Sequence, residues 1–107
     1  MYYTYMLRCE DNSIYTGITV DIKRRFKEHI EKDKKCAKYT ATHQVTKLEV
    51  VWESENKSLA SKLEFYIKKL TKSDKEKLII DKKLENFLSD KIETEKYKIL
   101  KDTEILL

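Results

Sequence analysis

"YYTYMLRCEDNSIYTGIT", residues 2 to 19, has two runs of aromatic and β-branched residues on either side of the polar cluster Glu10 to Ser13. This pattern predicts a β-hairpin. Side chains alternate between the faces of a strand, so the loop decides which of them share a face. A three-residue loop at 11–13 places Tyr5 and Tyr15 on the same side, whereas a two-residue loop at 11–12 places them on opposite sides.

The hairpin contains Gly17, which is the only glycine in a chain of 107 residues that has no proline. A lone glycine in a strand-like segment indicates a positive φ, a bulge, or another group packed against the bare backbone. The sequence leaves these three explanations open.

A helix is expected to follow from Val20, because apolar side chains recur every four residues among charged ones. Its predicted apolar stripe consists of Ile22, Phe26 and Ile30. At about 100° per residue, Arg25 and His29 lie one turn apart on one edge of that stripe. Arg24 falls on the solvent side, so the two adjacent arginines are expected to have different roles.

The next two elements are a third strand and a longer helix. Leu48, Val50 and Trp52 alternate with other residues and are expected on one face of the strand. Asn56 or Ser58 can cap the helix. Its apolar stripe is predicted to be Leu59, Leu63, Tyr66, Ile67 and Leu70. Glu64 lies at the edge of this stripe.

The remaining sequence predicts a short basic helix, capped by Thr71 or Ser73, and then a C-terminal segment that is acidic overall. This segment has apolar residues at helical spacing, namely Leu84, Phe87, Leu88 and Ile92. It is expected to be either a helix packed on the domain or a tail that binds a protein partner. We therefore predict a domain of residues 1–80 and a C-terminal extension, 81–107, that is helical.

Composition favours a single domain with a small core under a polar surface. Hydrophobic residues make up 40% of the chain, too many for a disordered protein, and charged residues make up 39%. The net charge of +4 is concentrated in two blocks, residues 20–38 with +4 and residues 57–83 with +5. Two basic blocks suit a polyanion such as nucleic acid, although a solvated lysine-rich surface would look the same.

Cysteine usage and hydropathy exclude several classes of protein. Cys9 and Cys36 form no Cys-x-x-Cys pair and the histidines are not clustered, which argues against a disulfide scaffold and a structural zinc site. The first residues lack a basic leader and a cleavage site, and no apolar run approaches membrane length. We expect a soluble cytoplasmic protein that does not contact membranes.

Some side chains on these elements could together cut a phosphodiester, and they are Tyr5, Tyr15, Arg25, His29 and Glu64. A single carboxylate can hold Mg²⁺, and a guanidinium can stabilise charge on the phosphate. A tyrosine or histidine can move the proton of the attacking water. Gly17 would let a phosphate backbone approach closely. Taken singly, each residue has an ordinary explanation; Glu64, for example, could simply pair with Lys68 one turn later.

The order of these residues along the chain is a more specific indication of function than any one of them alone. "TYM" around Tyr5, "YTG" at 15–17, and then Arg25, His29 and Glu64 resemble the GIY-YIG nuclease family. The similarity is strongest to the small stand-alone bacterial members, grouped with the Slx-type endonucleases and UvrC-like catalytic domains. It runs from about residue 2 to residue 79 and includes "DIKRRFKEH", "AKYT" and "LEFYIKKL".

The resemblance implies a role for each matching residue. Tyr5 would belong to the first motif, and Tyr15, Thr16 and Gly17 would form the second. Arg25 would bind phosphate with His29 beside it, and Glu64 would be the only protein ligand of a divalent metal, Mg²⁺ or Mn²⁺. The expected substrate contacts are Thr16, Gly17 and Lys68.

The resemblance also implies an α+β fold, with a three-stranded antiparallel sheet and helices packed on its faces. The expected activity is metal-dependent hydrolysis of DNA, at branched or flapped structures, in repair or recombination. Two alternatives remain open. One is a nucleic-acid-binding module whose site is inactive or depends on a partner, and the other is an adaptor that binds a protein through the C-terminal segment.

Overall fold

The computed structural model describes residues 1–31, 39 and 42–101, so Cys36 and most of the "AKYT" stretch lie outside the described residues. A four-stranded antiparallel sheet has the order β2-β1-β3-β4. Its strands are β1 (Tyr2–Cys9), β2 (Ile14–Thr19), β3 (Val45–Ser54) and β4 (Lys98–Ile99). The α+β class is confirmed, but the prediction of three strands was wrong. The two-residue β4 is too short to produce an alternating pattern.

The described helices are α1 (Ile22–Ile30), α2 (Lys57–Lys69), α3 (Lys72–Asp81) and α4 (Glu85–Leu88). The predicted caps of α2 and α3 are confirmed, whereas α1 was expected to begin at Val20 and begins two residues later. Asp21, Asn56 and Thr71 cap the first three, each accepting a hydrogen bond from the backbone N–H three residues ahead. Among the described residues, no helix is long and apolar enough to cross a membrane.

The hairpin has a three-residue loop, but at 10–12 instead of 11–13. Cys9 N–H donates to the Ser13 carbonyl oxygen, and Asn12 has a φ of 71°, the left-handed conformation that closes such a loop. The register pairs Tyr5 with Gly17 and Leu7 with Tyr15. This register differs from the predicted one by two residues, and a shift of two keeps every side chain on its face. The prediction that Tyr5 and Tyr15 share a side is therefore confirmed.

Each face of the sheet has its own core. On the α1 face, buried side chains of β1 and β3 pack with Ile22 of α1; this cluster consists of Tyr5, Leu7, Cys9, Ile22, Val45, Leu48 and Val51. On the α2 face, Met6, Val50 and Trp52 of the sheet pack against Leu63 and Ile67 of α2. The sheet thus separates α1 from α2, and the two helices approach each other only around its edge.

A β-bulge in β3 changes which of its residues share a face. Met6 pairs with Val50 but Leu7 pairs with Leu48, which leaves Glu49 as an extra residue. As a result Leu48 packs on the α1 face, whereas Val50 and Trp52 pack on the α2 face. The expectation that these three residues share a face was wrong, because simple alternation cannot reveal a bulge.

The C-terminal segment packs on the domain through residues 84–99. Leu84, Leu88, Ile92 and Tyr97 are buried in the cluster on the α2 face. The Tyr97 hydroxyl also donates a hydrogen bond of 2.7 Å to the Leu59 carbonyl oxygen. The core therefore continues across residue 80, and the apolar stripe that could have served a partner is used inside the fold.

Candidate active site

Most of the predicted site residues meet at the edge of the sheet formed by β2. Tyr5 comes from β1, Tyr15 from β2, Arg25 and His29 from α1, and Glu64 from α2. The ring centroids of Tyr5 and Tyr15 are 6.4 Å apart, and each lies within 6 Å of the His29 ring, at 5.7 Å and 5.4 Å. Side chains separated by up to 24 residues in sequence thus form one aromatic cluster.

A buried hydrogen bond holds the centre of this cluster. The Tyr5 hydroxyl lies 2.8 Å from Nε2 of His29, and the two residues are 1% and 0% exposed. The Tyr5 ring packs in the cluster with Ile22 and the His29 side chain is fully buried, so the hydroxyl has a defined position before any substrate arrives. The pair also connects β1 to α1.

Gly17 has no side chain because the Tyr5 ring fills that space. A Cβ atom on Gly17 would lie 2.5 Å from the Tyr5 hydroxyl oxygen and 3.0 Å from Cε2 of Tyr15. Its φ is not positive, so conformational freedom does not explain the glycine. Of the three explanations open from the sequence, a packed group is the one found, and that group is a side chain of the protein. Substrate contact at Gly17 stays a prediction.

Arg25 points toward the Tyr5 hydroxyl, as the helical phase predicted. Its side chain is 21% exposed, and the guanidinium hydrogen bonds to the Tyr5 phenol and pairs with Glu28 at 2.9 Å. Arg24 is 60% exposed, with its Nε 3.9 Å from a Glu28 oxygen. The different placement of two adjacent arginines was recoverable from sequence; Glu28, which orients Arg25, was not singled out.

Burial keeps the two tyrosines and His29 uncharged near neutral pH. Burial, and then the neighbouring Tyr15, raise the pKa of Tyr5, although Arg25 opposes them. Burial also raises the pKa of Tyr15. For His29, burial and then the positive charge of Arg25 lower the pKa to about 4. Burial alone would lower the pKa of Arg25, but its hydrogen bonds to Glu28 and Tyr5 outweigh that effect and raise it.

Glu64 and Lys68 approach this cluster from α2. The Glu64 carboxylate is 3.3 Å from the Lys68 ammonium, which lies 5.7 Å from the centre of the Tyr15 ring. The charge of Glu64 contributes to raising the pKa of both phenols, so the carboxylate is within electrostatic range of the cluster. The ordinary helix pair between Glu64 and Lys68 is therefore present, and it lies beside the candidate site.

The donor set fits a metal that needs a single protein ligand. The Glu64 side chain is 24% exposed and borders the cluster, which leaves room for water around its oxygens. Within the part of the chain that the structure describes, no three acidic, histidine or cysteine side chains converge as a metal site. Mg²⁺ keeps several waters and binds through one or two carboxylates together with phosphate oxygens. Glu64 satisfies that requirement.

Thr16 lies apart from the other predicted site residues. It pairs with Met6, so its side chain faces α2, opposite to Tyr15 and Gly17, and it is buried. Sequence reasoning also missed an aromatic stack beyond Tyr15. The Tyr39 ring lies 5.8 Å from that of Tyr15 and 3.9 Å from that of His43. The tyrosine of "AKYT" was the available signal.

The sequence of this chain is similar to the sequences of known proteins. The family model of the GIY-YIG catalytic domain matches residues 1–98. A UPF0213 protein of Fusobacterium nucleatum is 46% identical over 100 residues, which cover 94% of this chain and 96% of that protein. The UPF0213 protein YhbQ of Salmonella typhimurium is 34% identical over 93 residues, covering 87% of this chain and 91% of its own.

A solution NMR structure of a UPF0213 protein from Bacillus halodurans is 36% identical, covers 77% of this chain and 86% of that chain, and has a TM-score of 0.48. The family match includes the C-terminal segment that packs into the core and the Tyr5, Tyr15, Arg25 and Glu64 positions. The family model and the similarity to the Fusobacterium nucleatum protein show that the chain belongs to the GIY-YIG catalytic domain family, a family of nucleases.

Proposed function

We propose that this protein is a metal-dependent endonuclease that hydrolyses phosphodiester bonds in DNA, acting at branched or flapped structures in repair or recombination. The observation that carries the proposal is the 2.8 Å hydrogen bond between Tyr5 and His29, with Arg25 bonded to the same phenol. A group that can move a proton and a group that can stabilise phosphate charge thus meet at one oxygen atom.

Tyr5 and His29 are suited to proton transfer. The phenol is protonated near neutral pH, and burial moves its pKa further above that range, so it can accept a proton from water only if it gives up its own. Nε2 of His29, 2.8 Å away, is the nearby acceptor in the tautomer that carries its proton on Nδ1. In the proposed step, the water oxygen forms a bond to phosphorus as one of its protons passes to the Tyr5 oxygen and the phenolic proton moves to His29, while the P–O bond to the leaving oxygen breaks.

Arg25 and Lys68 supply positive charge on either side of the phenols. As water attacks, negative charge builds on the non-bridging oxygens of the phosphate. The Arg25 guanidinium, held by Glu28, offers forked donors to those oxygens in a partly buried site, where such interactions are stronger than in water. Lys68 adds a second cation beside Tyr15.

Glu64 would hold the divalent metal, Mg²⁺ or Mn²⁺. When bound, such an ion supplies Lewis acidity at a phosphate oxygen and favours departure of the leaving oxygen. The role of Glu64 itself is to fix a negative charge at the edge of α2, next to the phenols. Lys68 neutralises that carboxylate in the metal-free protein.

Cleavage of a 5′-flapped DNA duplex tests the proposal, with Mg²⁺ or with EDTA. We expect wild-type protein to cut only with Mg²⁺, and Glu64→Gln to lose at least a hundredfold in rate. Glu95→Gln, which removes an exposed carboxylate far along the chain, is the matched control and should cut normally. An inert wild type, or a Glu64→Gln variant that cuts normally, would refute the proposal. Salt-sensitive binding without cleavage under any divalent ion would identify a binding module instead.

A further inference from the structure

We propose that a groove at the end of β2 binds one unpaired nucleotide of the substrate strand, next to the phosphodiester that is cut. The inference rests on the proposed nuclease function and specifies its substrate class. It assigns the recognition of unpaired DNA to residues outside the catalytic cluster.

The groove lies where β2 ends and where α1 and α2 begin. It has a volume of about 510 Å³ and is lined by Tyr2, Ile18, Thr19, Val20, Arg24, Arg25, Glu28 and Lys57. Arg25 belongs to both the groove and the candidate active site, because its guanidinium also bonds to the Tyr5 phenol. A strand whose phosphate sits at Arg25 would therefore have its adjacent nucleotide in the groove.

The lining combines apolar surface with positive charge. Tyr2 and Ile18 are half-buried and Val20 is 52% exposed, so the lining presents apolar surface to solvent. The cationic side chains of the described lining are Arg24, Arg25 and Lys57, against the single acid Glu28. Glu28 is already shared between the two arginines. The groove thus keeps a net positive charge beside apolar surface.

This combination matches an unpaired nucleotide better than a base pair. A duplex presents phosphates to a protein while its bases stay stacked inside, so a duplex would use only the cations. An unstacked base has a free π-face that packs on aromatic or aliphatic side chains, while its phosphates contact arginine and lysine. Tyr2, Ile18 and Val20 would contact the base, and Arg24 and Lys57 would contact the flanking phosphate.

The test measures binding of a flapped DNA in EDTA, so that cleavage plays no part. A set of flaps has a single abasic nucleotide, placed in turn at each position within three nucleotides of the junction. We expect one abasic position to weaken binding to wild-type protein by about tenfold, the usual order of one stacked base. Tyr2→Ala should weaken binding to the intact flap similarly, and the abasic change should then have no further effect.

Two more variants distinguish the loss of a base contact from a folding defect in Tyr2→Ala. Val20→Ser removes apolar surface at an already exposed position without changing the charge of the groove. It should weaken flap binding by about threefold, roughly the value of one buried methylene, while leaving binding to plain duplex unchanged. Lys91→Glu, which changes an exposed charge outside the groove lining, is the control and should bind the flap like wild type.

The inference is overturned if no abasic position weakens wild-type binding, or if the abasic effect persists at full size in Tyr2→Ala. It is also overturned if the variants weaken duplex and flap binding equally. A protein that binds flaps in this pattern but never cuts would refute the proposed nuclease function and leave the groove assignment intact.

Discussion

Tyr5 and His29 form a hydrogen bond of 2.8 Å between the first strand and the first helix, with both side chains buried. Burial favours the neutral form of each group, and Arg25 further disfavours the charged form of His29. The resting pair is therefore a hydrogen bond between two neutral groups. It also makes the position of the hydroxyl part of the core, so loss of the hydroxyl affects both chemistry and folding.

Replacement of Tyr5 by Phe keeps the ring and removes the hydroxyl. We expect single-turnover cleavage of flapped DNA to fall by about 10²- to 10⁴-fold, the usual contribution of a positioned acid–base group. Stability should fall by about 1–3 kcal/mol, because Nε2 of His29 loses a buried partner. Tyr3→Phe on the same strand is the control and should leave the cleavage rate unchanged. Normal cleavage by Tyr5→Phe would remove the phenol from the mechanism.

The substitution Gly17→Ala should destabilise the protein by about 1–3 kcal/mol, the typical cost of overpacking a core. The new Cβ would lie 2.5 Å from the Tyr5 hydroxyl oxygen, and the buried ring has little room to move. Urea unfolding of the single and double variants checks the cause. In a Tyr5→Ala background, Gly17→Ala should cost much less. An equal cost in both backgrounds would mean that the ring is not responsible.

His29 should make stability depend on pH between about 6.5 and 4. The pKa of His29 is lowered from 6.5 to about 4 in the folded protein, so the unfolded chain binds a proton that the folded chain excludes. The contribution of neutral His29 to the free energy of unfolding is complete above pH 6.5 and is lost as the pH falls through 4. Urea unfolding across this range should give a shallower pH dependence for His29→Gln than for wild type. Identical slopes would contradict the prediction.

An ion pair between Arg8 and Glu76 attaches α3 to the hairpin. Both terminal nitrogens of Arg8 bond to the Glu76 carboxylate at 2.6 Å, and these bonds lower the pKa of Glu76 to about 2. The stabilisation that this pair gives the folded protein is complete above pH 4.5, the ordinary pKa of a glutamate, and is lost as the pH falls toward 2.

Glu76→Gln should therefore cost about 1 kcal/mol at pH 7, in the range of partly exposed ion pairs, and should weaken the acid dependence between pH 4.5 and 2. Glu85→Gln removes an exposed carboxylate of α4 and should change neither quantity. Chemical denaturation at several pH values measures both. If the two variants behave alike, the pair does not stabilise the fold.

Leu88 tests whether the C-terminal segment belongs to the core. Leu88 is 2% exposed in the cluster on the α2 face, whereas Ile80 is 79% exposed. Leu88→Ala should cost about 2–5 kcal/mol, as for other buried leucines, and Ile80→Ala about 0.5 kcal/mol or less. Thermal unfolding distinguishes them. Similar small losses in both variants would mean that the segment does not stabilise the domain.

The sequence was most informative where a local rule acts alone. Caps at Asn56 and Thr71, and the different placement of Arg24 and Arg25, follow from hydrogen bonding and helical phase within a few residues. The shared side of Tyr5 and Tyr15 also survived an incorrect register, because side-chain alternation has a period of two.

The features that were missed depend on distant partners. The bulge at Glu49 depends on pairing with β1, and the two residues of β4 form a strand only because the end of β3 is there to bond them. The reason for Gly17 is a ring twelve residues earlier in the chain, on the neighbouring strand. Such effects exist only once the elements are assembled, so local patterns contain no sign of them.

The placement of α1 and α2 on opposite faces of the sheet has a consequence for how the site can vary. The Arg25 guanidinium and the Glu64 carboxylate belong to helices on opposite faces of the sheet. The thickness of the sheet and of its two cores therefore sets the distance between these two groups. A core substitution on either face that thickens or thins a layer would alter this distance without touching Arg25 or Glu64. A change in loop length would leave this distance unaltered, whereas a change in the thickness of either core would not.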